Sequence, residues 1–157
     1  MSLPTHEERL RGGMWGLLVA DAIGVPYEFY APHRLPPFEQ LDAEPPEGFR
    51  RAHASAPRGA WSDDGAHALC LASSLLARGG LDTRDLISRM TNWFRWGYLA
   101  VEGQVFDIGD GTRTALLNFE GGMEPESCGP ADEYANGNGS LYEAGDVDFT
   151  TELINCI

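Results

Sequence analysis

The sequence predicts an all-α fold, a helical bundle with long loops, and three observations support this prediction. Four segments between residues 6 and 119 repeat apolar residues at steps of three and four, which is the period of an amphipathic helix. Glycines follow the ends of these segments, as they do at helix C-termini. No alternation typical of a strand persists for more than four residues. With 157 residues, 43% of them hydrophobic, the chain has the length and composition of one folded domain.

The first helix is predicted from about residue 6 to residue 23. Thr5 and Glu8 form the pattern of a capping box, and one apolar stripe is expected to face the core: Leu10, Met14, Leu17, Leu18 and Ala22. Asp21 lies on that stripe, where a buried carboxylate is costly unless it is paired, hydrogen-bonded or bound to a metal. It either caps a neighbouring backbone segment or belongs to a site, and the sequence favours neither.

A long loop separates this helix from the rest of the bundle. Residues 25–60 hold seven of the ten prolines, and such loops in a compact domain are usually functional or disordered. A second helix is predicted to begin at Ser62 and a third to span about Thr83–Trp96. The fourth, over Thr112–Phe119, is shorter. The predicted bundle therefore spans residues 5–120, with loop beyond it.

The charge is acidic and unevenly distributed. All 11 basic residues are arginine and 24 residues are acidic, so the formal net charge is −13. Residues 1–100 hold 10 Arg and 12 acids, a balance of −2, whereas residues 101–157 hold one Arg and 12 acids, a balance of −11. No nucleic-acid partner is expected, because phosphate backbones are bound by basic surfaces. No anionic membrane surface is expected as a partner either.

Targeting and redox signals point to the cytoplasm. The apolar run Trp15–Ala20 stops at Asp21, which makes it too short for a membrane span and unlike a signal peptide. Cys70, Cys128 and Cys156 are an odd number at wide spacing, without the pattern of a disulfide framework. A reducing, cytoplasmic location is therefore expected.

The run Ser62-Asp63-Asp64 is the sharpest local feature. Ser62 suits a helix N-cap, and two acids in the first turn suit the helix dipole. A hydroxyl and two carboxylates can also converge on Mg²⁺ or Ca²⁺, which prefer oxygen ligands. The residues alone leave the cap and the metal site equally open. His67, one turn further on, is expected to be a packed or exposed residue rather than a ligand.

Two glycine-rich segments could receive a ligand. Asn136–Ser140 doubles an Asn-Gly step, which indicates either a turn or a backbone that a ligand can approach closely. Phe106–Thr112 leads into the fourth helix and offers free amides at its N-terminus, where an anion or phosphate can bind. Neither segment is specific by itself.

Four blocks follow one another along the chain: Gly12–Glu28, Trp61–Gly65, Val105–Gly109 and Asn136–Leu141. Together they resemble the ADP-ribosylglycohydrolase family, an all-α family of metal-dependent hydrolases. The resemblance implies hydrolysis of the N- or O-glycosidic bond at the anomeric carbon of ADP-ribose, with an ADP-ribosylated protein or an ADP-ribose-like small molecule as partner. Family members hold the ribose hydroxyls and a water with two Mg²⁺ ions, or Mn²⁺ in some members.

The resemblance also implies roles for individual residues. Ser62, Asp63 and Asp64 match the first metal-binding block, in which Ser62 and Gly65 each replace a more usual Thr. Glu28 matches a glutamate that serves as acid/base or gate, so Glu28 and Asp63 are the candidate catalytic residues. The candidate substrate-binding residues include a loop near the ribose and a loop that cradles the diphosphate: Asp21, Asp107, Gly109, Asn138, Gly139 and Ser140.

The resemblance stops after Leu141. The second metal block of the family, an Asp-x-Asp-Thr pattern, is absent, so the two-ion site is expected to be incomplete. Residues 5–141 are interpreted as the N-terminal half of such a domain, and residues 142–157 as a divergent tail from a truncation or frameshift. An alternative reading frame beyond codon 141 would test the frameshift.

Two expectations follow from this interpretation. Weak or no hydrolysis is expected, and the alternative function is a non-catalytic remnant that binds ADP-ribose or one metal. Helices that lack their partners would expose apolar side chains through which the chain could self-associate. The fourth helix supplies the expected examples: Leu116, Leu117 and Phe119.

Overall fold

A computed structural model of the protein describes residues 3–130. Four α-helices form its framework: α1 His6–Gly24, α2 Asp63–Arg78, α3 Thr83–Trp96 and α4 Asp110–Glu120. Short 3-10 turns lie at Val25–Tyr27, Pro32–Arg34, Phe38–Gln40, Val101–Gly103 and Pro125–Ser127. Within the described residues there is no β-strand, so the all-α prediction is confirmed. Asn138, Gly139, Ser140 and the tail 142–157 lie outside the described residues.

Side-chain caps and glycines define the ends of the helices. The Oγ1 atom of Thr5 accepts a hydrogen bond from the Glu8 amide at 3.2 Å, and the Thr5 amide donates to the Glu8 carboxylate at 2.8 Å. This is the predicted capping box. At the start of α3, Asp82 accepts from the Asp85 amide at 2.9 Å. Gly97 ends α3 with a φ of 67°, a left-handed conformation that favours glycine.

The core lies where α2, α3 and α4 meet. Its buried centre consists of Ala66 and Cys70 from α2, Trp93 from α3 and Leu116 from α4. Partly buried apolar residues surround this centre: Trp61, Leu86, Ile87, Met90, Phe94, Leu99, Ala100, Val105 and Ile108. Helix α3 thus packs its predicted apolar face inward.

The fourth helix differs from the prediction in two ways. It begins at Asp110, two residues before the predicted start, because the acid of its first turn suits the helix dipole. The expectation that Leu116 is exposed was wrong, since this side chain is only 1% exposed. Leu117 is 46% exposed. Successive helical residues point about 100° apart, so turning Leu116 toward Trp93 turns Leu117 away from it.

Helix α1 does not pack along the stripe that its sequence predicts. Leu18 is its one buried residue, whereas Leu10 and Leu17 are exposed. Near the C-terminal end of α1, Asp21 bonds this helix to the start of α2. The prediction that the whole stripe faces the core was therefore wrong for Leu10 and Leu17.

The proline-rich segment 25–60 is held by specific contacts. The Tyr27 hydroxyl donates to the Asp42 carbonyl at 2.8 Å, and the Tyr30 hydroxyl donates to the Arg50 carbonyl at 2.7 Å. The rings of Tyr27 and Tyr30 both lie against Phe49, with centroids 5.3 Å and 4.9 Å away. These contacts tie the two ends of the segment together beside the C-terminus of α1.

Two further findings concern the membrane and redox expectations. None of the helices in the described part of the chain has both the length and the apolar character needed to cross a membrane. Cys70 and Cys128 are buried free thiols, and burial raises the pKa of the Cys70 thiol to about 11.

Candidate functional site

Asp21 joins α1 to the start of α2. Its Oδ2 atom accepts hydrogen bonds from the Ser62 amide at 2.9 Å and from the Gly65 amide at 2.8 Å. Its Oδ1 atom accepts from the Ser62 hydroxyl at 2.8 Å. A carboxylate from another helix therefore satisfies two amides that α2 cannot satisfy internally. This geometry is the capping role that was one of the two alternatives for Asp21.

Ser62 occupies the N-cap position of α2 without capping it. Its side chain accepts no hydrogen bond from the helix and donates to Asp21 instead. A hydroxyl keeps two acceptor lone pairs when it donates, so the Ser62 oxygen can still bind a cation. Asp21, rather than Ser62, therefore caps the start of α2.

Gly65 is required by the close packing of this junction. A Cβ atom at Gly65 would lie 2.7 Å from Trp61 Cβ and 2.8 Å from the Asp21 carboxylate. Trp61 cannot move easily, because its indole N–H donates to the Leu99 carbonyl at 2.9 Å. The local geometry thus explains why glycine stands where the related pattern more usually has threonine.

Asp63 is a buried carboxyl group with an unsatisfied oxygen. The residue is 2% exposed, and its Oδ2 atom has no hydrogen-bond partner. Burial, followed by the nearby charges of Asp64 and Asp107, raises the pKa of Asp63 to about 7. Asp64, in contrast, is exposed.

The start of α2 fits a divalent cation. An unsatisfied buried carboxylate oxygen on Asp63, the Ser62 hydroxyl and the Asp64 carboxylate are hard oxygen donors, the kind that Mg²⁺ prefers. The raised pKa of Asp63 reflects like charges and low solvation, and a cation would relieve both. Ser62, Asp63 and Asp64 are therefore the residues that could hold a metal here.

A second polar cluster lies beside this one and consists of Glu28, His53 and Asp107. The Nε2 atom of His53 is 2.6 Å from Glu28 Oε2 and 3.6 Å from Asp107 Oδ1. One potential ligand atom from each of the three residues lies within 4.8 Å of the others, so a cation could reach all three. The 2.6 Å contact is a short hydrogen bond whose donor depends on the tautomer of His53.

The environment of Glu28 favours its protonated form. Burial is the main cause that raises the pKa of Glu28, and the neighbouring Asp107 raises it further, whereas the hydrogen bond from His53 lowers it. The charge of Asp107 also raises the pKa of Asp63. Asp107 therefore links the two polar clusters, which together contain both candidate catalytic residues.

Asp107 and Gly109 lie immediately before α4. Gly109 is the N-cap residue of this helix, and no side chain makes a capping hydrogen bond there. A Cβ atom at Gly109 would meet only Thr112 Oγ1, at 4.0 Å, so the approach to this backbone is open among the described residues. Because Asn138, Gly139 and Ser140 fall outside them, the diphosphate loop stays a prediction.

His67 packs against an aromatic ring, whereas His53 lies in the polar cluster with Glu28 and Asp107. His67 packs edge-on against Trp93, with ring centroids 4.5 Å apart, as expected for a packed histidine. Burial lowers the pKa of His67 to about 4. His53 was not among the predicted site residues. Its position in the proline-rich segment 25–60 was the one available signal.

Comparisons with known proteins identify the family of this chain. The sequence model of the ADP-ribosylglycohydrolase family matches residues 2–147. The chain belongs to the ADP-ribosylglycohydrolase family. It is 34% identical over 131 residues to the ADP-ribosylarginine hydrolase Tri1 of Serratia proteamaculans (strain 568), and 32% identical over 129 residues to that of Pseudomonas putida (strain GB-1).

These alignments cover most of the chain and a small part of each relative. They include 79% and 78% of the chain, but 34% and 33% of the Serratia and Pseudomonas proteins. An uncharacterized protein of Archaeoglobus fulgidus is 26% identical over 132 residues, which are 80% of the chain and 40% of that relative. The chain thus corresponds to about a third of the length of the two ADP-ribosylarginine hydrolases.

Proposed function

We propose that this chain acts in the hydrolysis of the glycosidic bond between ADP-ribose and a protein side chain, with arginine as the acceptor. The observation that carries the proposal is the buried carboxylate of Asp63, which has an unsatisfied oxygen and lies in a run that matches the family's first metal block. Family membership supports the reaction class. The two relatives named as ADP-ribosylarginine hydrolases support the acceptor.

The proposed cofactor is Mg²⁺, or Mn²⁺, held by Ser62, Asp63 and Asp64. When bound, such an ion orients ribose hydroxyls and lowers the pKa of a coordinated water. The family uses two ions, and these three residues account for one block of ligands. Backbone amides at Gly109 and at Asn138–Ser140 are the groups proposed to bind a phosphate of the substrate.

Glu28 and Asp63 are the proposed proton-handling residues. Cleavage at the anomeric carbon develops positive charge on the ribose and requires a proton on the departing group. A carboxyl group whose pKa is raised holds its proton to a higher pH than an ordinary carboxyl group does. The pKa of Glu28 is raised mainly by burial, which suits it to protonate the departing guanidine.

Asp107 is the third acidic residue of the proposed active site. It lies near both Glu28 and Asp63 and raises the pKa of each. The role proposed for its carboxylate is to contact a ribose hydroxyl and to stabilise positive charge on the ring. Asp21 supports the site by fixing the backbone of Ser62.

A hydrolysis assay with a matched variant tests this function. The purified chain is incubated with an ADP-ribosylated arginine peptide and Mg²⁺, and released ADP-ribose is measured by chromatography. Release that is lost in Asp63→Asn and retained in Asp42→Asn, an acid outside the site, would support the proposal. Unchanged release in Asp63→Asn would contradict it.

A binding measurement separates the proposed enzyme from the alternative function. The alternative is a non-catalytic module that binds ADP-ribose or one metal without turnover. Mg²⁺-dependent binding of ADP-ribose without any release from the peptide would favour it. The same proposal assigns residues 5–141 as the functional unit and residues 142–157 as a divergent tail. It also includes a cytoplasmic location and self-association of the chain.

A further inference from the structure

We propose that His53 is a positioning residue that fixes the direction of the Glu28 carboxyl group through a hydrogen bond. This inference rests on the proposed function, in which Glu28 handles a proton at the scissile bond. The three residues come from distant parts of the sequence. Glu28 follows α1, His53 lies in the proline-rich segment, and Asp107 precedes α4.

The geometry places one imidazole nitrogen between two carboxylates. His53 Nε2 lies 2.6 Å from Glu28 Oε2 and 3.6 Å from Asp107 Oδ1. In the tautomer that carries a hydrogen on Nε2, His53 donates this hydrogen to Glu28 Oε2. The same nitrogen lies farther from Asp107, so the hydrogen bond directs Glu28 rather than Asp107.

The imidazole of His53 contacts two aromatic rings, and the backbone beside it is also held. The rings of Phe29 and Phe106 are tilted against the imidazole, with centroids 5.4 Å and 5.2 Å from it. The Ala52 amide donates to the Pro26 carbonyl at 2.9 Å, which ties this part of the loop to the segment that carries Glu28. The His53 side chain is 15% exposed.

The backbone at His53 adds to the case for a fixed position. Its φ is +44°, and that of Asp107 is +56°. A non-glycine residue in the left-handed region persists where the surrounding structure determines it. Two such residues meet at this cluster, so the loop holds the imidazole in place although its backbone conformation is unfavourable.

Loss of the imidazole donor frees Glu28 to move. The Glu28 side chain is 35% exposed, so it has room to rotate toward solvent when the hydrogen bond to His53 is lost. Misplacement of a catalytic group by about 1 Å can reduce a rate by about a hundredfold. His53 therefore affects the chemical step through Glu28 while touching no substrate atom itself.

Ring ¹⁵N NMR of histidine-labelled protein tests the contact without any substrate. Four histidines give separable signals, and single His→Gln variants assign them. We expect Glu28→Gln to shift the His53 ring resonances and to leave those of His33 and His67 in place. Unchanged His53 resonances in Glu28→Gln would overturn the proposal, because a histidine that serves only in packing would not sense the charge of Glu28.

Kinetics of two His53 variants test the consequence. His53→Leu removes the donor, and His53→Gln keeps an N–H group at a similar distance from the backbone. We expect His53→Leu to lower kcat by about tenfold to a hundredfold with KM little changed, and His53→Gln to recover most of the loss. Equal losses in both variants, with the helical circular dichroism spectrum intact, would overturn the positioning role.

The exposed His33 supplies the matched control, since His33→Gln should leave kcat and KM unchanged. A chain that releases no ADP-ribose at all refutes the proposed function and not this inference. In that case the NMR shift still decides whether Glu28 and His53 are bonded, so the two failures are distinguishable.

Discussion

Removal of the Asp21 carboxylate is the most informative single perturbation of this fold. Asp21→Ala deletes the acceptor of three hydrogen bonds from Ser62 and Gly65, at 2.8–2.9 Å. Both of these residues are buried, so water cannot easily replace the lost acceptor. The start of α2, which carries the proposed metal ligands, would lose its cap and its link to α1 at once.

The size of the effect follows from the number of groups left without a partner. An unsatisfied buried donor costs about 1–3 kcal/mol, and Asp21→Ala leaves two amides in that state. We therefore expect a loss of about 3 kcal/mol in the free energy of unfolding. Asp21→Asn keeps the shape and an acceptor oxygen for both amides while it removes the charge, so we expect a loss of about 1 kcal/mol.

Urea unfolding followed by tryptophan fluorescence measures these differences. Asp82→Ala is the matched control, because Asp82 caps α3 through a single hydrogen bond to the Asp85 amide, and its loss should cost about 1 kcal/mol. The order of stability is expected to be wild type, then Asp21→Asn and Asp82→Ala, then Asp21→Ala. A loss in Asp21→Ala no larger than in Asp82→Ala would refute the reasoning.

Three further predictions concern packing and pH. Gly65→Ala should destabilise the protein by about 1–3 kcal/mol in the same urea assay, because the added Cβ overlaps neighbouring atoms. Gly12→Ala is the control, because the space around Gly12 is open. This variant should be neutral or stabilising by up to about 1 kcal/mol. Trp93→Ala should lower the free energy of unfolding by about 3–5 kcal/mol, because the Trp93 side chain is 1% exposed. Trp96 is 81% exposed, so Trp96→Ala should change the free energy of unfolding by about 0.5 kcal/mol or less. Equal effects of the two variants would contradict the assignment of the core. In chelator-treated protein, the contribution of Asp63 to stability should fall as pH rises from about 4 to about 7, because the pKa of an ordinary solvated aspartate is 3.8 and that of Asp63 in the fold is about 7, so the folded state binds a proton that the unfolded state has released. In denaturant titrations across this range, the wild type should lose stability relative to Asp63→Asn, and a constant difference between the two proteins would show that Asp63 is not the group responsible.

Local signals in the sequence were sufficient to predict that the helices exist. The capping box at Thr5, the glycines after α2 and α3, and the apolar period of α3 act within a few residues, and the structure places these elements as predicted. The start of α4 was predicted two residues too late because Gly111 has a low helix propensity. Tertiary packing of Leu116 in the core overrides that preference.

Long-range contacts account for what the sequence did not reveal. Asp21 was recognised as a group that needs a partner, but the identity of that partner depended on bringing residue 21 to residue 62. His53 carried no signal of its own, since a single histidine in a proline-rich loop is common. It becomes a candidate only when the loop places it beside Glu28 and Asp107. In α1 the apolar stripe was predicted from periodicity, but Leu10 and Leu17 on it are exposed. Periodicity predicts which residues share a face of a helix, and it does not identify what packs against that face.

Calorimetric titration of ADP-ribose into the purified chain, with Mg²⁺ and with a chelator, tests the central claim most directly. The claim is that Ser62, Asp63 and Asp64 form a cation site that serves ADP-ribose recognition. We predict binding that requires Mg²⁺ and is lost in Asp63→Asn while Asp42→Asn binds as wild type does. Binding of equal strength with the chelator, or in Asp63→Asn, would contradict the claim.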